Sequence, residues 1–258
     1  MKVNQFHKDF KLNDRSFPTV AKLLDYAKLL SNTTEIFLKD WFSDSTHVQV
    51  KTSGSTGKPK LIQLKKEFMK NSAKATGQYF KLFENTTALL CMSTEYIAGK
   101  MMLVRALELG WNIDIVKPES NPLKNLDKVY DFSAMVPMQL QHSLTDIHKV
   151  KKLIVGGGIV SQQLESKIQS VSTQVFATFG MTETITHIAV KRLNNYSKQK
   201  QDTYQTLPNV SISIDNRNCL IIKAPKVSEE EIITNDVVKI VSETEFTWLG
   251  RFDNVINS

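Results

Sequence analysis

Thr52-Ser53-Gly54-Ser55-Thr56-Gly57-Lys58-Pro59-Lys60 places four hydroxyl side chains, two glycines and two lysines in one short run. The residues before it, His47–Lys51, read as a strand, and those after it, Lys66–Phe80, as an amphipathic helix. Hydroxyls donate hydrogen bonds to phosphate oxygens, and glycines let backbone N–H groups approach an anion closely. The two lysines add positive charge with no carboxylate among them. A strand, an anion-holding loop and a helix in that order predict a nucleotide site on an α/β scaffold. The Walker A loop is excluded, because it needs Lys and then Ser or Thr after its second glycine, and Pro59 stands five places after Gly54. A Gly/Ser/Thr linker is the plain alternative. It would explain neither the Lys-Pro-Lys ending nor the flanking periodicities.

Outward from this loop the chain alternates strands and helices. Helices are expected at Val20–Leu30, Thr34–Phe42 and Ile97–Leu109, the last stopped by Gly110, and at 161–170. Pro137 is placed to open a further helix. Strands are expected at Thr87–Met92, Asn112–Val116, Phe132–Val136, Lys152–Val155 and Gln174–Thr178. This alternation predicts an α/β fold of mostly parallel strands flanked by helices, with ligands at the strands' carboxyl ends. Past about Lys191 the pattern changes. Residues 194–205 read as a polar loop, 211–214 and 219–223 as a hairpin, and 237–241 with 246–249 as further strands, a smaller β-rich portion near the C-terminus.

With 258 residues and 41% hydrophobic content the chain can bury a substantial core. No apolar run approaches the roughly 18 residues that cross a bilayer, and the N-terminus lacks a signal-peptide core, so a cytoplasmic protein without membrane insertion is expected. Cys91 and Cys219 stand far apart in apolar contexts and read as buried thiols. The net charge is +7; residues 51–81 alone hold eight lysines against Glu67. Such a patch favours polyanions such as ATP or coenzyme A. Nucleic acid is disfavoured, since no recognition motif or aromatic interleaving accompanies it.

Three further segments carry chemistry. Leu153-Ile154-Val155 ends in Gly156-Gly157-Gly158, bare backbone against which a flat ligand can lie. One strand later comes Phe179-Gly180-Met181-Thr182-Glu183, offering a ring for a base, a hydroxyl for a phosphate and a hard oxygen ligand for Mg²⁺. Asp236 at a strand mouth can accept ribose hydroxyls, and Arg251 can reach ribose or phosphate oxygens. The histidines show no metal spacing, and no Ser/His/Asp order supports hydrolysis.

In order, TSGSTGKPK, LIVGGG, ATFGMTET, TNDVV and LGRFDN resemble the acyl-adenylate-forming superfamily, from about Val48 to the end. Within it, Tyr96–Gly99, Val136–Leu140 and Gly250–Asn254 look most like the o-succinylbenzoate–CoA ligase branch of menaquinone synthesis. The resemblance implies the large N-terminal domain of an acyl-CoA synthetase-like fold. Its expected segments are a reduced N-terminal part (1–50), a nucleotide-binding core (51–190) and a β-rich part (191–253) leading to a hinge at Asp253. It implies ATP, Mg²⁺ and coenzyme A as reactants, with a small carboxylic acid as substrate. Thr52, Ser53, Gly54, Ser55, Thr56, Gly57 and Lys60 would hold the β- and γ-phosphates, with Thr182 on the α-phosphate and Glu183 on the metal. Lys60, Thr182 and Glu183 would be the catalytic set. Gly156–Gly158 and Phe179 would take the adenine, Gly180 and Met181 would add further ATP contacts, and Asp236 and Arg251 would take the ribose. Tyr96, Gly99, Gly158 and Thr186 would border the acyl pocket, with Lys100 and Arg105 nearby as cations that read equally as solvent-facing or helix-packing. Family members carry a further C-terminal domain with a catalytic lysine, which this sequence does not include, so poor activity of the chain alone is expected. Another acyl- or aryl-CoA ligase and a non-catalytic nucleotide-binding module stay open as alternatives, as does a homodimer.

Overall fold

A computed structural model describes residues 5–51, 61–195 and 202–255. In chain order it holds β1 (Lys11–Leu12), α1 (Val20–Leu30), α2 (Asn32–Trp41), β2 (His47–Lys51), β3 (Leu61–Lys65), α3 (Lys66–Phe80) and β4 (Thr87–Leu90). There follow α4 (Ile97–Leu109), β5 (Asn112–Ile115), β6 (Tyr130–Met135), α5 (Pro137–His142), β7 (Val150–Val155), α6 (Gln162–Lys167), β8 (Gln174–Gly180) and β9 (His187–Arg192). The chain ends with β10 (Tyr204–Thr206), β11 (Ser211–Ile214), β12 (Cys219–Lys223), β13 (Ile232–Ser242), β14 (Glu245–Arg251) and the short α7 (Phe252–Val255).

Twelve strands form one sheet in the order β1-β5-β4-β6-β7-β8-β9-β10-β14-β13-β12-β11. From β1 to β8 every neighbouring pair is parallel. The direction reverses at β8–β9, where Phe179 faces Ala189, and every later pair is antiparallel. The β-rich portion is therefore continuous with the parallel sheet. β2 and β3 stand apart as an antiparallel hairpin with Lys51 opposite Leu61.

Apolar side chains fill both faces of the sheet. On one, Phe80 of α3 meets Phe132 and Phe176, and Trp111 stacks edge-on against Phe132 at 5.5 Å. On the other, Leu89, Leu153 and Val155 pack with Leu140, Leu164 and Ile168. Each such fully buried side chain contributes about 1.5–3 kcal/mol relative to exposure. Local signals set the helix ends. Thr19 and Ser161 cap α1 and α6 by accepting from Lys22 N and Leu164 N, and Gly110 takes the left-handed turn (φ +71°) that closes α4.

Three readings are corrected. Residues 194–205 are not simply a loop, since Tyr204 and Gln205 begin β10 and Asn194 is fully buried, donating to Ile168 O and Thr173 O. Leu61–Lys65 and His187–Arg192 are strands that the pattern of the sequence did not announce. The helix expected at 161–170 is α6 followed by a 3-10 turn, Ile168–Ser170. Of the two readings left open for Lys100 and Arg105, burial selects helix packing, with 8% and 2% exposed. Cys91 and Cys219 are free and buried, as read.

Candidate active site

The parallel register brings two of the motif-bearing turns side by side. Val155 pairs with Ala177, so Gly156–Gly158 leave β7 beside Thr178 and Phe179 on β8. A Cβ on Gly156 would sit 2.5 Å from Thr178 Oγ1, and Thr178 itself donates to Val155 O at 3.1 Å. Only glycine fits that approach. Gly157 has φ +74°, and with Gly158 it lies exposed over Val136 and Pro137. The result is a flat ledge of bare backbone at the carboxyl end of the sheet.

Phe179 is half-buried beside this ledge, held edge-on to Phe246 at 5.2 Å and Tyr204 at 5.8 Å. Gly180 then lets the chain fold back, since a Cβ there would meet Thr186 O at 2.1 Å. Between them Thr182–Thr184 form one 3-10 turn, fixed by Thr184 Oγ1, which accepts from Met181 N and donates to carbonyl oxygens of the same loop. Ile185 is forced to φ +68°, ψ −64°, and Thr186 N donates to Thr184 O at 2.8 Å. A γ-turn of this hand is strained for a β-branched residue. The burial of Ile185 at 1% exposure keeps it in place.

Glu183 projects from this turn and is exposed. No group of three or more His, Cys, Asp or Glu gathers among the described residues. A single carboxylate suits Mg²⁺, which keeps several waters and takes other ligands from substrate phosphates. The donor set therefore fits a metal that arrives with a nucleotide.

Thr186 leads to a cation that the sequence left undecided. Arg105 of α4 is fully buried, and its Nη2 donates to Thr186 Oγ1 at 3.3 Å. Among the described residues its one further hydrogen bond is from Nη1 to Met102 Sδ at 3.8 Å, and Nε finds no acceptor. Among the described residues no carboxylate pairs with it. Burial pulls its pKa down to about 10, still charged at neutral pH. The signal for it was present: Met101–Leu107 is apolar all round save for this arginine, the mark of a helix buried on every side. Lys100, by contrast, is satisfied, donating to Thr94 O at 3.0 Å and Glu95 O at 3.3 Å.

Tyr96 is exposed at the start of α4, and Lys51 bridges to it from the end of β2. Gly99 lies one turn into the same helix. A Cβ there would lie 2.2 Å from Ser93 O, so its bare α-carbon accommodates the Ser93–Thr94 turn. Asp236 and Arg251 form a second cluster at the far end of β14 from Phe246. Asp236 is buried, accepts from Trp248 Nε1 at 2.9 Å and lies 3.7 Å from Arg251 Nη1. Arg251 Nη2 and Asn235 Nδ2 both donate to Asp253, at 2.9 and 3.2 Å. No hydrogen bond or ring contact joins this cluster to Phe179 among the described residues. Thr52, Ser53, Gly54, Ser55, Thr56, Gly57 and Lys60 lie outside the described residues, between the paired ends of β2 and β3.

Two cavities lie elsewhere. One of about 730 Å³ sits at the base of the β2–β3 hairpin against Trp41, Lys65, Lys66 and Lys70. One of about 200 Å³ lies between α3 and Leu207–Val210, with His187 in its wall.

Comparison with known proteins gives these turns a context. The model of the AMP-binding enzyme family matches residues 43–224. The 2-succinylbenzoate–CoA ligase of Staphylococcus epidermidis is 27% identical over 188 residues, 68% of this chain and 40% of the relative. A solved acyl-CoA synthetase (AMP-forming)/AMP-acid ligase II-like protein from Dyadobacter fermentans is 36% identical, with TM-score 0.79 over 88% of this chain and 68% of its own. The o-succinylbenzoate coenzyme A synthetase of Bacillus subtilis, solved with ATP and magnesium ion, shares the fold at TM-score 0.70 and 20% identity, covering 81% of this chain and 51% of its own. The chain spans about half the length of the curated relatives it matches, 40% to 55%.

Proposed function

From the premise that the chain belongs to the AMP-binding enzyme family, we propose that it is the nucleotide- and acid-binding part of an ATP-dependent acid–thiol ligase, and that its acid is 2-succinylbenzoate. In this reading a carboxylate attacks the α-phosphorus of ATP, forming an acyl-adenylate and releasing pyrophosphate. Coenzyme A thiolate then displaces AMP to give the thioester. Both partners in the first step are anions, so the protein must supply positive charge and oriented donors where negative charge gathers.

Each side chain then has a task. The hydroxyls of Thr52, Ser53, Ser55 and Thr56, the backbone at Gly54 and Gly57, and Lys60 grip the β- and γ-phosphates, while Thr182 donates to the α-phosphate. Glu183 would hold Mg²⁺, whose charge would offset that of the phosphates. The Gly156–Gly158 ledge, Gly180, Met181 and the Phe179 ring enclose the adenine, and Asp236 with Arg251 takes the ribose. Asp253 sits at the hinge, and Tyr96, Gly99, Gly158 and Thr186 face the acid.

One observation carries the choice of acid: the buried Arg105 guanidinium, beside Thr186, with no carboxylate of its own. An unpaired buried charge is costly, and a bound anion relieves the cost. A diacid offers one carboxylate to the adenylation chemistry and a second to Arg105. The curated relatives named for 2-succinylbenzoate support the same acid. The test is calorimetric titration with 2-succinylbenzoate and with 4-phenyl-4-oxobutanoate, which lacks the ring carboxylate. The diacid should bind at least about ten-fold more tightly, and Arg105→Met should erase the difference. Equal binding of the two acids by the unaltered protein would overturn the reading.

A further inference from the structure

Behind Arg105 lies a chain of buried polar groups that the chemistry above does not use. Thr186 Oγ1 is 3.3 Å from His187 Nδ1, and His187 Nε2 is 3.5 Å from Thr76 Oγ1 on α3. Thr76 Oγ1 in turn donates to Ser72 O at 3.0 Å. His187, Thr76 and Ser72 are all buried, at 6%, 0% and 2% exposure.

One arrangement satisfies every group in this chain. A guanidinium only donates, so Thr186 Oγ1 accepts from Arg105 and is free to donate its own proton to His187 Nδ1. With Thr76 Oγ1 donating to Ser72 O, its lone pairs face His187 Nε2, which then carries the hydrogen of a neutral imidazole. The opposite tautomer, with Nδ1–H donating to Thr186 Oγ1 and Thr76 Oγ1 donating to Nε2, gives up the Thr76–Ser72 bond and leaves the Thr186 proton without a partner in the chain. Burial, and then the nearby guanidinium, hold the imidazole neutral well below its ordinary titration range.

We propose that His187 is a positioning residue for acid recognition: by accepting the Thr186 proton it aims the Thr186 oxygen at Arg105 and so fixes the guanidinium toward the acyl pocket. This rests on the reading of Arg105 as the receptor of a second carboxylate. The γ-turn at Ile185 adds a reason for such a device. Strained backbone one residue before Thr186 leaves its hydroxyl in need of a fixed partner, and the first residue of β9 supplies it from within the sheet ladder.

The experiment has two arms on the full chain. In the first, histidine ¹⁵N spectra should show His187 as the neutral Nε2–H form at pH 7; an Nδ1–H form or an imidazolium overturns the proposal. In the second, 2-succinylbenzoate and 4-phenyl-4-oxobutanoate are titrated into the unaltered protein, His187→Asn and His187→Leu. Asn Oδ1 stands where Nδ1 stood and keeps the acceptor, so the preference for the diacid should survive. His187→Leu should lose about ten-fold of that preference while its affinity for ATP and for the monoacid holds. Full preference in His187→Leu, or equal loss in both variants, overturns the proposal. If the unaltered protein shows no preference, the diacid reading fails on its own account, and the tautomer still decides whether His187 orders Thr186. Should His187→Leu fail to fold, His187→Asn and the spectrum decide it.

Discussion

Lys51 ends the strand that enters the hydroxyl-rich loop, and its Nζ lies 2.8 Å from Glu95 Oε1 in the turn before α4, while its backbone bridges Tyr96. The β2–β3 hairpin is thereby tied to the segment read as the mouth of the acid pocket. Both side chains are solvent-exposed, so the pair should matter little for stability. Its expected effect is on communication between ligands. Lys51→Met should weaken the dependence of acid affinity on bound ATP by about two- to five-fold. Calorimetry with acid titrated in the presence and absence of ATP reads this; unchanged dependence argues against the tether.

Glu183 is exposed and, among the described residues, has no cation pairing with it. Glu183→Gln should leave the thermal midpoint within about 2 °C, as surface substitutions do, yet weaken Mg²⁺-dependent ATP binding by at least about ten-fold. A parallel loss of both would assign Glu183 to folding.

Gly99 faces Ser93 O at a distance no Cβ can share. Gly99→Ala should destabilise by about 1–3 kcal/mol, the cost of forcing atoms into a packed site. Urea unfolding measures it. Because the Ser93–Thr94 turn shapes the approach to Tyr96, acid affinity should fall as well.

Lys81 closes α3 in the left-handed conformation, φ 54° and ψ 54°, which costs a residue bearing a Cβ about 1 kcal/mol relative to glycine. Lys81→Gly should therefore raise stability by about 0.5–1 kcal/mol without touching ligand binding. A decrease would mean that the lysine makes a compensating contact.

His187 gives the pH dependence a definite sign. Its pKa is lowered in the fold, by burial first and Arg105 second, whereas the unfolded chain takes a proton near 6.5. The unfolded state binds more protons, so stability is complete above that value and declines as pH falls below it. Between pH 7.5 and 5.5 this one group should remove stability on the order of 1 kcal/mol. The difference between unaltered protein and His187→Asn in urea midpoint over that interval isolates it, and a constant difference would count against a neutral imidazole.

Much of this architecture was legible because periodicity and punctuation agreed. Ile97–Leu109 with Gly110 behind it, and Lys66–Phe80 after a strand, have the bounds that the pattern suggests. The parallel register then brings the triple glycine beside Thr178, as alternation of strand and helix implies. What escaped notice lacked a local signature. His187–Arg192 is a central strand with four buried residues in succession, so it shows no alternation, and its cationic end lies over rings, Arg192 over Phe176 and Lys191 over Tyr204. Tyr204–Thr206 is short and becomes a strand only between β9 and β14. Arg105 could be noticed but not placed, because burial of a charge depends on what packs around the helix. Asp236 and Arg251 illustrate the same limit, since they pair with each other across β13 and β14, a relation set by register alone.

The reversal of direction between β8 and β9 has an outcome for how such a protein can diversify. The Thr182–Glu183 loop hangs between two interior strands and has little freedom to change, whereas the cation that would choose the acid rides on a separate helix. Replacing a few side chains along that helix should redirect the molecule toward other carboxylic acids while its handling of nucleotide stays intact.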